Sequence, residues 1–457
     1  MHNCGEVVEA RAAPAWRTRI GLALILAVYV ALATVQSFAT RLQWGPDEPA
    51  HIVYVQSLAQ DGRLPEMCHR EQDCAYAPGA SRSFEAQHPP LYYALAAVVW
   101  RAFAGRPDDS VSYWDQGSRQ VRRFSVPGEV RPVRLLSVLL GLATLVGLWV
   151  TAQVVFPGKP ALWLSAVTLT AFTPMFTYMS GVVNNDALLG VAFAATAWWW
   201  ARALRFGVGW RDVWLLGILL GLGLNVKQTA LGLAPASVVV LALAPGRAGR
   251  WQRAGWTAAA VALAAALGGW WFVRNALIYG SPFVYPFHYP LLGLPEPRRL
   301  ALMCAMPVRV FLFTFVPVDV IIAHANMTLV SGFFVAVLVL SVVGLALVLR
   351  RRRRFSMPRY QAQLLILWLA TGVVVLAGIL RNLLLIDWRM GTSGGRLLMG
   401  VLPLAAMASA RGISALLGDG RLAQVGLLVI CLLLLAVNLH CIFATAAGYQ
   451  TLNLAQP

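Results

Sequence analysis

The chain has 457 residues, 59% of them hydrophobic and 12% charged. Soluble domains carry about twice that charged fraction, so a soluble globular fold is excluded at the outset. The formal charge of +18 would suit a nucleic-acid partner, but Lys159 and Lys227 are the only lysines and the arginines stand mostly beside apolar runs. That placement is the signature of membrane topology and of attraction to anionic lipid, not of nucleic-acid binding.

In chain order, the first apolar run covers residues 20–40. Ser37-Phe38-Ala39 resembles a small-residue cleavage site. The apolar core exceeds the usual 7–15 residues of a signal peptide, so the run is expected to be a retained first helix. Further runs cover 133–155, 160–180, 187–204, 254–272, 327–348, 364–380, 397–417 and 425–445. Most approach the roughly 20 residues that cross a hydrocarbon core.

Arginine placement sets the topology. Arg11, Arg17 and Arg19, Lys159, residues 202–211, residues 247–253 and residues 350–354 with Arg359 fall on one side if the helices alternate from a cytoplasmic N-terminus. This requires 213–243 to be a hairpin of two short spans broken near Asn225-Val226-Lys227-Gln228. It also requires 90–104, at about 15 residues, to lie on the membrane as an interfacial helix. In a competing topology 90–104 spans and 213–243 is one helix, which puts Arg119, Arg122 and Arg123 inside but 202–211 outside.

The expected architecture is an all-α polytopic membrane protein of about eleven transmembrane helices. Residues 1–19 form the cytoplasmic N-terminus, 20–445 the transmembrane domain and 446–457 a short outer tail. Two outer loops are expected, a large one at 41–131 and a second at 274–326, within which 308–323 reads as an interfacial or re-entrant helix. Six cysteines are present; Cys68 and Cys74 lie close together in the polar first loop, where an extracytoplasmic setting permits a local disulfide.

Polar residues at the ends of apolar runs carry the candidate chemistry. Trp44-Gly45-Pro46-Asp47-Glu48-Pro49-Ala50-His51 places two carboxylates and an imidazole at the exit of the first helix. Asp47 reads either as a helix N-cap or as a general base or cation ligand. Glu85 and His88 precede Pro89-Pro90, which start a helix. Asn184-Asn185-Asp186 separates two apolar runs, and an acid there is costly unless wet or paired. Lys227 is a lone cation between apolar stretches, suited either to an anion such as phosphate or to snorkelling. Arg274 and Arg396 each mark a helix end, where arginine serves planar phosphate recognition or topological anchoring.

The PDE-type acidic motif at 46–48, His88-Pro89-Pro90-Leu91-Tyr92-Tyr93, Arg134-Leu135-Leu136-Ser137 and Asn185-Asp186 together resemble the GT-C glycosyltransferases. The likeness is to protein O-mannosyltransferases, lipid A aminoarabinose transferases and their bacterial relatives. It implies a large first outer loop with interfacial helices, a polyprenyl-phosphate-linked sugar donor, and inverting transfer to an acceptor hydroxyl on a glycan, lipid or protein. It implies a bacterial inner membrane with the site facing the periplasm or exterior.

By this resemblance Asp47 is the catalytic base, Glu48 its neighbour in the motif and Asp186 a second catalytic acid. Lys227, His88, Arg274 and Arg396 are expected around the donor phosphate. A divalent cation held by Asp47 and Asp186 would assist. The sequence departs from the aminoarabinose transferases at Gln87, where they carry an acid. A lipid-linked sugar transporter or a non-catalytic assembly subunit is the rival class.

Overall fold

A computed structural model describes residues 15–68, 82–115, 120–285, 291–317, 327–350, 357–386 and 394–454. The fold begins with α1 (Ala15–Ala39), an apolar helix with no acid in its first turn. A loop leads to α2 (Glu48–Gln56), which Pro49 starts, since its missing N–H costs nothing in a first turn. A 3-10 turn, Phe84–Gln87, precedes α3 (Leu91–Ala102). At twelve residues and about 1.5 Å rise each, α3 is too short to cross the hydrocarbon core. It buries Tyr92, Tyr93, Ala96, Ala97 and Trp100 and exposes Val98, the one-sided pattern of an interfacial helix. An antiparallel pair, β1 (Asp109–Asp115) with β2 (Gln120–Val126), completes the first loop, Asp109 opposite Val126.

The bundle continues through α4 (Val130–Val155), α5 (Pro160–Ala171), α6 (Pro174–Ser180) and α7 (Asp186–Phe206). The run read as continuous over 160–180 is split at Thr173-Pro174, where proline cannot extend the helix before it. Next come α8 (Trp210–Leu224) and α9 (Leu233–Leu243), joined by a 3-10 turn at Gln228–Gly232. The break expected near Asn225–Gln228 is therefore present. α10 (Arg250–Gly268) meets α11 (Trp270–Tyr279) at a 51° bend. The remaining helices are α12 (Glu296–Phe315), α13 (Met327–Arg350), α14 (Arg359–Leu385), α15 (Leu402–Leu416) and α16 (Arg421–Leu454).

This is a multi-pass membrane protein. Among the described residues, six helices are long and apolar enough to cross a membrane, or seven with the bent pair counted as one span. The eleven crossings expected from the arginines would require α5 with α6, α8, the 228–243 segment and α15 to cross as well. Helices meet through small residues: a Cβ on Gly412 would lie 2.4 Å from the Ser341 carbonyl of α13, so only glycine allows that approach. The main core gathers Tyr29, Leu145, Phe193, Trp200, Leu364 and Met407 from α1, α4, α7, α14 and α15. A second cluster, with Ile52, Tyr54, Tyr92, Tyr93, Trp100 and Val133, fastens α2 and α3 onto the start of α4.

Candidate active site

The site is built where α1 ends and α2, α4 and α7 begin. Arg134, in the first turns of α4, is 1% exposed. Its guanidinium donates to the Ser37, Thr40 and Arg41 carbonyls at 2.5, 2.7 and 2.9 Å, closing the C-terminal end of α1. It also grips Glu48 bidentately, Nε to Oε1 at 2.8 Å and Nη2 to Oε2 at 2.6 Å. Glu48 accepts two backbone N–H groups as well, from Gly45 at 3.3 Å and Val183 at 3.0 Å. Each carboxylate oxygen thus takes one guanidinium and one amide, which leaves Glu48 saturated and wholly buried. A Cβ on Gly45 would lie 2.8 Å from Val182, so glycine permits this closure.

Asp47 stands one residue earlier in the left-handed region, at φ 58° and ψ 10°. Asp tolerates that conformation better than most residues. It sends Asp47 away from the buried Glu48, and its side chain stays 35% exposed. Its Oδ2 pairs with Nη2 of Arg396, 349 positions along the chain. Burial lowers the Arg396 guanidinium to about 10, so it remains charged at neutral pH. Its Nε and Nη1 are buried without hydrogen-bond partners among the described residues.

The second acid opens α7. Asp186 is 5% exposed, and its Oδ1 lies 2.7 Å from Nζ of Lys227, which the break between α8 and α9 presents. Asn184 shapes the approach, donating to the Met179 and Val182 carbonyls and accepting from Ala187 N. The Asn185 side-chain amide reaches the Val226 carbonyl at 3.4 Å, tying the two loops together.

A third group lies between α2 and the 3-10 turn. Glu85 is buried with His88 Nε2 at 3.0 Å and His51 Nδ1 at 3.9 Å. Burial opposes ionisation of Glu85, but the flanking His51 and His88, with Lys227 further off, outweigh it and hold the carboxyl at about 2. His51 also meets the Tyr93 hydroxyl at 2.9 Å, and burial lowers its pKa from the ordinary imidazole value. Trp271 Nε1 donates to the Gln87 carbonyl at 3.0 Å, and Arg274 stacks 4.6 Å over the Trp271 ring. Arg274 thereby joins the neighbourhood of His88, and the field of Lys227 and Asp186 reaches His51.

The residues expected from sequence therefore form two assemblies, Asp47 with Arg396, and Asp186 with Lys227 beside Glu85, His88 and Arg274. Arg134, His51, Tyr54 and Tyr93 had no assigned role in the sequence reading. Arg134 carried a signal, since an arginine inside an apolar helix needs buried partners. Cys68 is disulfide-bonded, and Cys74 lies outside the described residues.

Among the described residues no three His, Cys, Asp or Glu side chains are placed to hold a metal ion. Asp47 and Asp186 are each engaged by a cation instead.

Beside the site runs a groove of about 500 Å³, lined by Gln228, Thr229, Tyr285, Arg381, Asn382 and Leu397 among others. Gln228 follows Lys227, and Leu397 follows Arg396. An apolar groove of about 290 Å³ between α8, α9 and α10 shares Leu231 and Phe283 with it.

Residues 126–271 match the model of the dolichyl-phosphate-mannose-protein mannosyltransferase family. The Archaeoglobus fulgidus oligosaccharyltransferase, in complex with zinc and sulfate, superposes with a TM-score of 0.50 at 14% identity over 94% of this chain. The chain has the GT-C fold. It spans 52% of that oligosaccharyltransferase, about half its length. ArnT from Cupriavidus metallidurans bound to undecaprenyl phosphate gives a TM-score of 0.49 at 14% identity, covering 95% of this chain and 76% of its own. No curated protein sequence matches the chain. Within the GT-C fold, the first loop and the ends of α4 and α7 hold the candidate site just described.

Proposed function

We propose that this GT-C chain is an inverting glycosyltransferase that moves a sugar from a polyprenyl-phosphate donor to an acceptor hydroxyl at the extracytoplasmic face of a bacterial inner membrane. The observation that carries the reading is the Asp47–Arg396 pair: a partly exposed carboxylate held by an arginine with two unsatisfied donors, next in sequence to Leu397 of the groove lining. Asp47 is the general base. Arg396 is the group a donor phosphate draws on, because a phosphate offers several oxygens to Nε and Nη1 while Asp47 occupies only Nη2.

Before donor arrives, the ion pair keeps Asp47 ionised and occupied. As phosphate binds, Arg396 turns to it and Asp47 is free to take the acceptor proton. The acceptor oxygen then attacks the anomeric carbon from the side opposite the phosphate, which inverts its configuration. Lys227 and Arg274, with Arg396, meet the charge gathering on the departing phosphate. Asp186 orients and balances Lys227. Glu48, saturated by Arg134, positions the turn that carries Asp47 rather than reacting. The polyprenyl tail lies along the apolar groove of α8, α9 and α10, consistent with its lining of Leu220, Leu224, Val261 and Phe272. A divalent cation at Asp47 would have to displace Arg396, so the protein's own cations serve the phosphate.

The test is release of labelled sugar from polyprenyl-phosphate donors by the purified chain, wild type beside Asp47→Asn. Transfer by the wild type that fades at least a hundredfold in the variant is the expected outcome, since a general base contributes about 10²–10⁴-fold. Equal rates would remove Asp47 as the base. Absence of transfer from every donor tried would favour the transporter or subunit reading.

A further inference from the structure

His88 was expected only to touch the donor phosphate. Its surroundings give it more to do. We propose that His88 is the general acid of the transfer, donating a proton from Nδ1 to the departing phosphate, with Glu85 as the positioning residue. The proposal rests on the transferase reading above.

The two ring nitrogens of His88 have different fates. Nε2 lies 3.0 Å from the Glu85 carboxylate, which is buried and ionised. Nδ1 is buried with no hydrogen-bond partner among the described residues. A buried polar atom left unpaired costs free energy unless a ligand completes it. A carboxylate beside one nitrogen stabilises the imidazolium electrostatically, so the proton available for transfer is on the other nitrogen.

The backbone around the ring is held on every side. The Tyr54 hydroxyl donates to the His88 carbonyl at 3.0 Å, and His88 N–H donates to the Glu85 carbonyl at 2.9 Å. Trp271 grips the Gln87 carbonyl, and Pro89-Pro90 stiffen the chain beyond. Three side-chain layers surround this turn: Glu85 on the turn itself; His51, Tyr54 and Tyr93 from α2 and α3; and Asp186, Lys227 and Arg274 from α7, the α8–α9 break and α11, whose charges act on His51, Tyr54 and Glu85. Lys227 and Arg274 are the charges that draw an anion to this place, and an imidazole beside them is the side chain suited to pass a proton to it.

The step balances. The acceptor oxygen forms its bond to the anomeric carbon and loses its proton to Asp47. The bond from the anomeric carbon to the phosphate oxygen breaks, its electron pair staying with the phosphate. That oxygen takes the Nδ1 proton, so polyprenyl phosphate departs as a monoanion and His88 is left neutral. A phosphate monoester has a second pKa of about 6, close to that of imidazole, which suits transfer in this direction near neutral pH. Water returns the proton to His88 and removes the one on Asp47.

The experiment measures undecaprenyl phosphate binding to the full chain in lipid nanodiscs, from about pH 5.5 to about pH 8.5, either side of the ordinary imidazole range. His88→Gln should weaken binding about tenfold at the acidic end, the worth of one charge-assisted hydrogen bond. The deficit should shrink to below about twofold at the alkaline end, where the wild-type ring has itself lost its proton. Glu85→Gln should move this crossover to lower pH. A merely structural loss would instead weaken binding equally at every pH, which would sink the proton role. Binding unchanged by His88→Gln would sink the contact itself. If His88→Gln does not fold, His88→Lys serves in its place: a retained cation should bind across the whole range without the crossover. Undecaprenyl phosphate that fails to bind the wild type overturns this inference and the transferase reading together. Binding without a His88-dependent crossover overturns this inference alone.

Discussion

Asp47 and Glu48 are neighbours of the same chemical kind, each paired with an arginine, and they have opposite surroundings. Glu48 is 0% exposed and its partner Arg134 is equally enclosed; four donors fill the carboxylate, and Arg134 spends its remaining donors on the end of α1. Asp47 is partly open, is held by one nitrogen, and faces an arginine with donors to spare. The left-handed residue at 47 separates the two neighbours, one acid buried in the scaffold and the other left partly exposed. A fully satisfied buried pair has nothing left to offer a substrate, whereas a partly exposed, under-satisfied pair has. The contrast locates chemistry better than residue type does.

The largest effect that can break this contrast is on the scaffold side. Arg134→Ala strands a buried carboxylate and frees three carbonyls at and just beyond the end of α1. Removing one partner of a buried ion pair costs about 3–5 kcal/mol. Thermal unfolding of the detergent-purified chain should therefore begin far earlier, and little folded protein should be recovered. A variant that folds like the wild type would show that Arg134 and Glu48 are not the scaffold.

On the other side, Asp47→Asn should leave the unfolding transition nearly in place. Asn keeps an amide oxygen for Arg396 and the position is partly exposed, so the loss should be well below that at Arg134, while the same change should cost about 10²–10⁴-fold in turnover. The two substitutions, one residue apart in their targets, should separate stability from rate. Unfolding of Asp47→Asn as severe as that of Arg134→Ala would erase the distinction.

Much of the frame was legible because hydropathy and its interruptions are one-dimensional. The apolar runs, the short α3 and the break at Asn225–Lys227 could be read directly. The kink at Thr173-Pro174 was hidden because both flanks are apolar, and the bend between α10 and α11 because Gly268-Gly269 sits within an apolar run. In the site, resemblance pointed to Asp47, Asp186 and Lys227, but no sequence pattern pairs residues 349 positions apart, as Asp47 and Arg396 are. Nor could spacing distinguish Asp47 from Glu48, since that depends on which acid meets Arg134, 86 positions away from Glu48. His51 was visible as an imidazole beside acids, yet its partner Tyr93 arrives only when α3 packs on α2.

The smallest effect sharpens the comparison inside the Asp47–Arg396 pair itself. Arg396→Lys keeps one cation but discards the fork, so the ammonium can serve Asp47 or a phosphate with far less reach for both. The donor KM should rise about tenfold, the worth of one hydrogen bond to a charged group. Turnover at saturating donor should change by less than about threefold, because the base is untouched and the retained ammonium, with Lys227 and Arg274, still meets the charge on the departing phosphate. Asp47→Asn should show the reverse, low turnover with donor binding kept. Steady-state kinetics of the two variants side by side therefore assign the halves of one ion pair to different steps. A fall in turnover at Arg396→Lys with KM unchanged would mean that Arg396 acts on the base and not on the phosphate, and would move the leaving-group charge onto Lys227 and Arg274 alone.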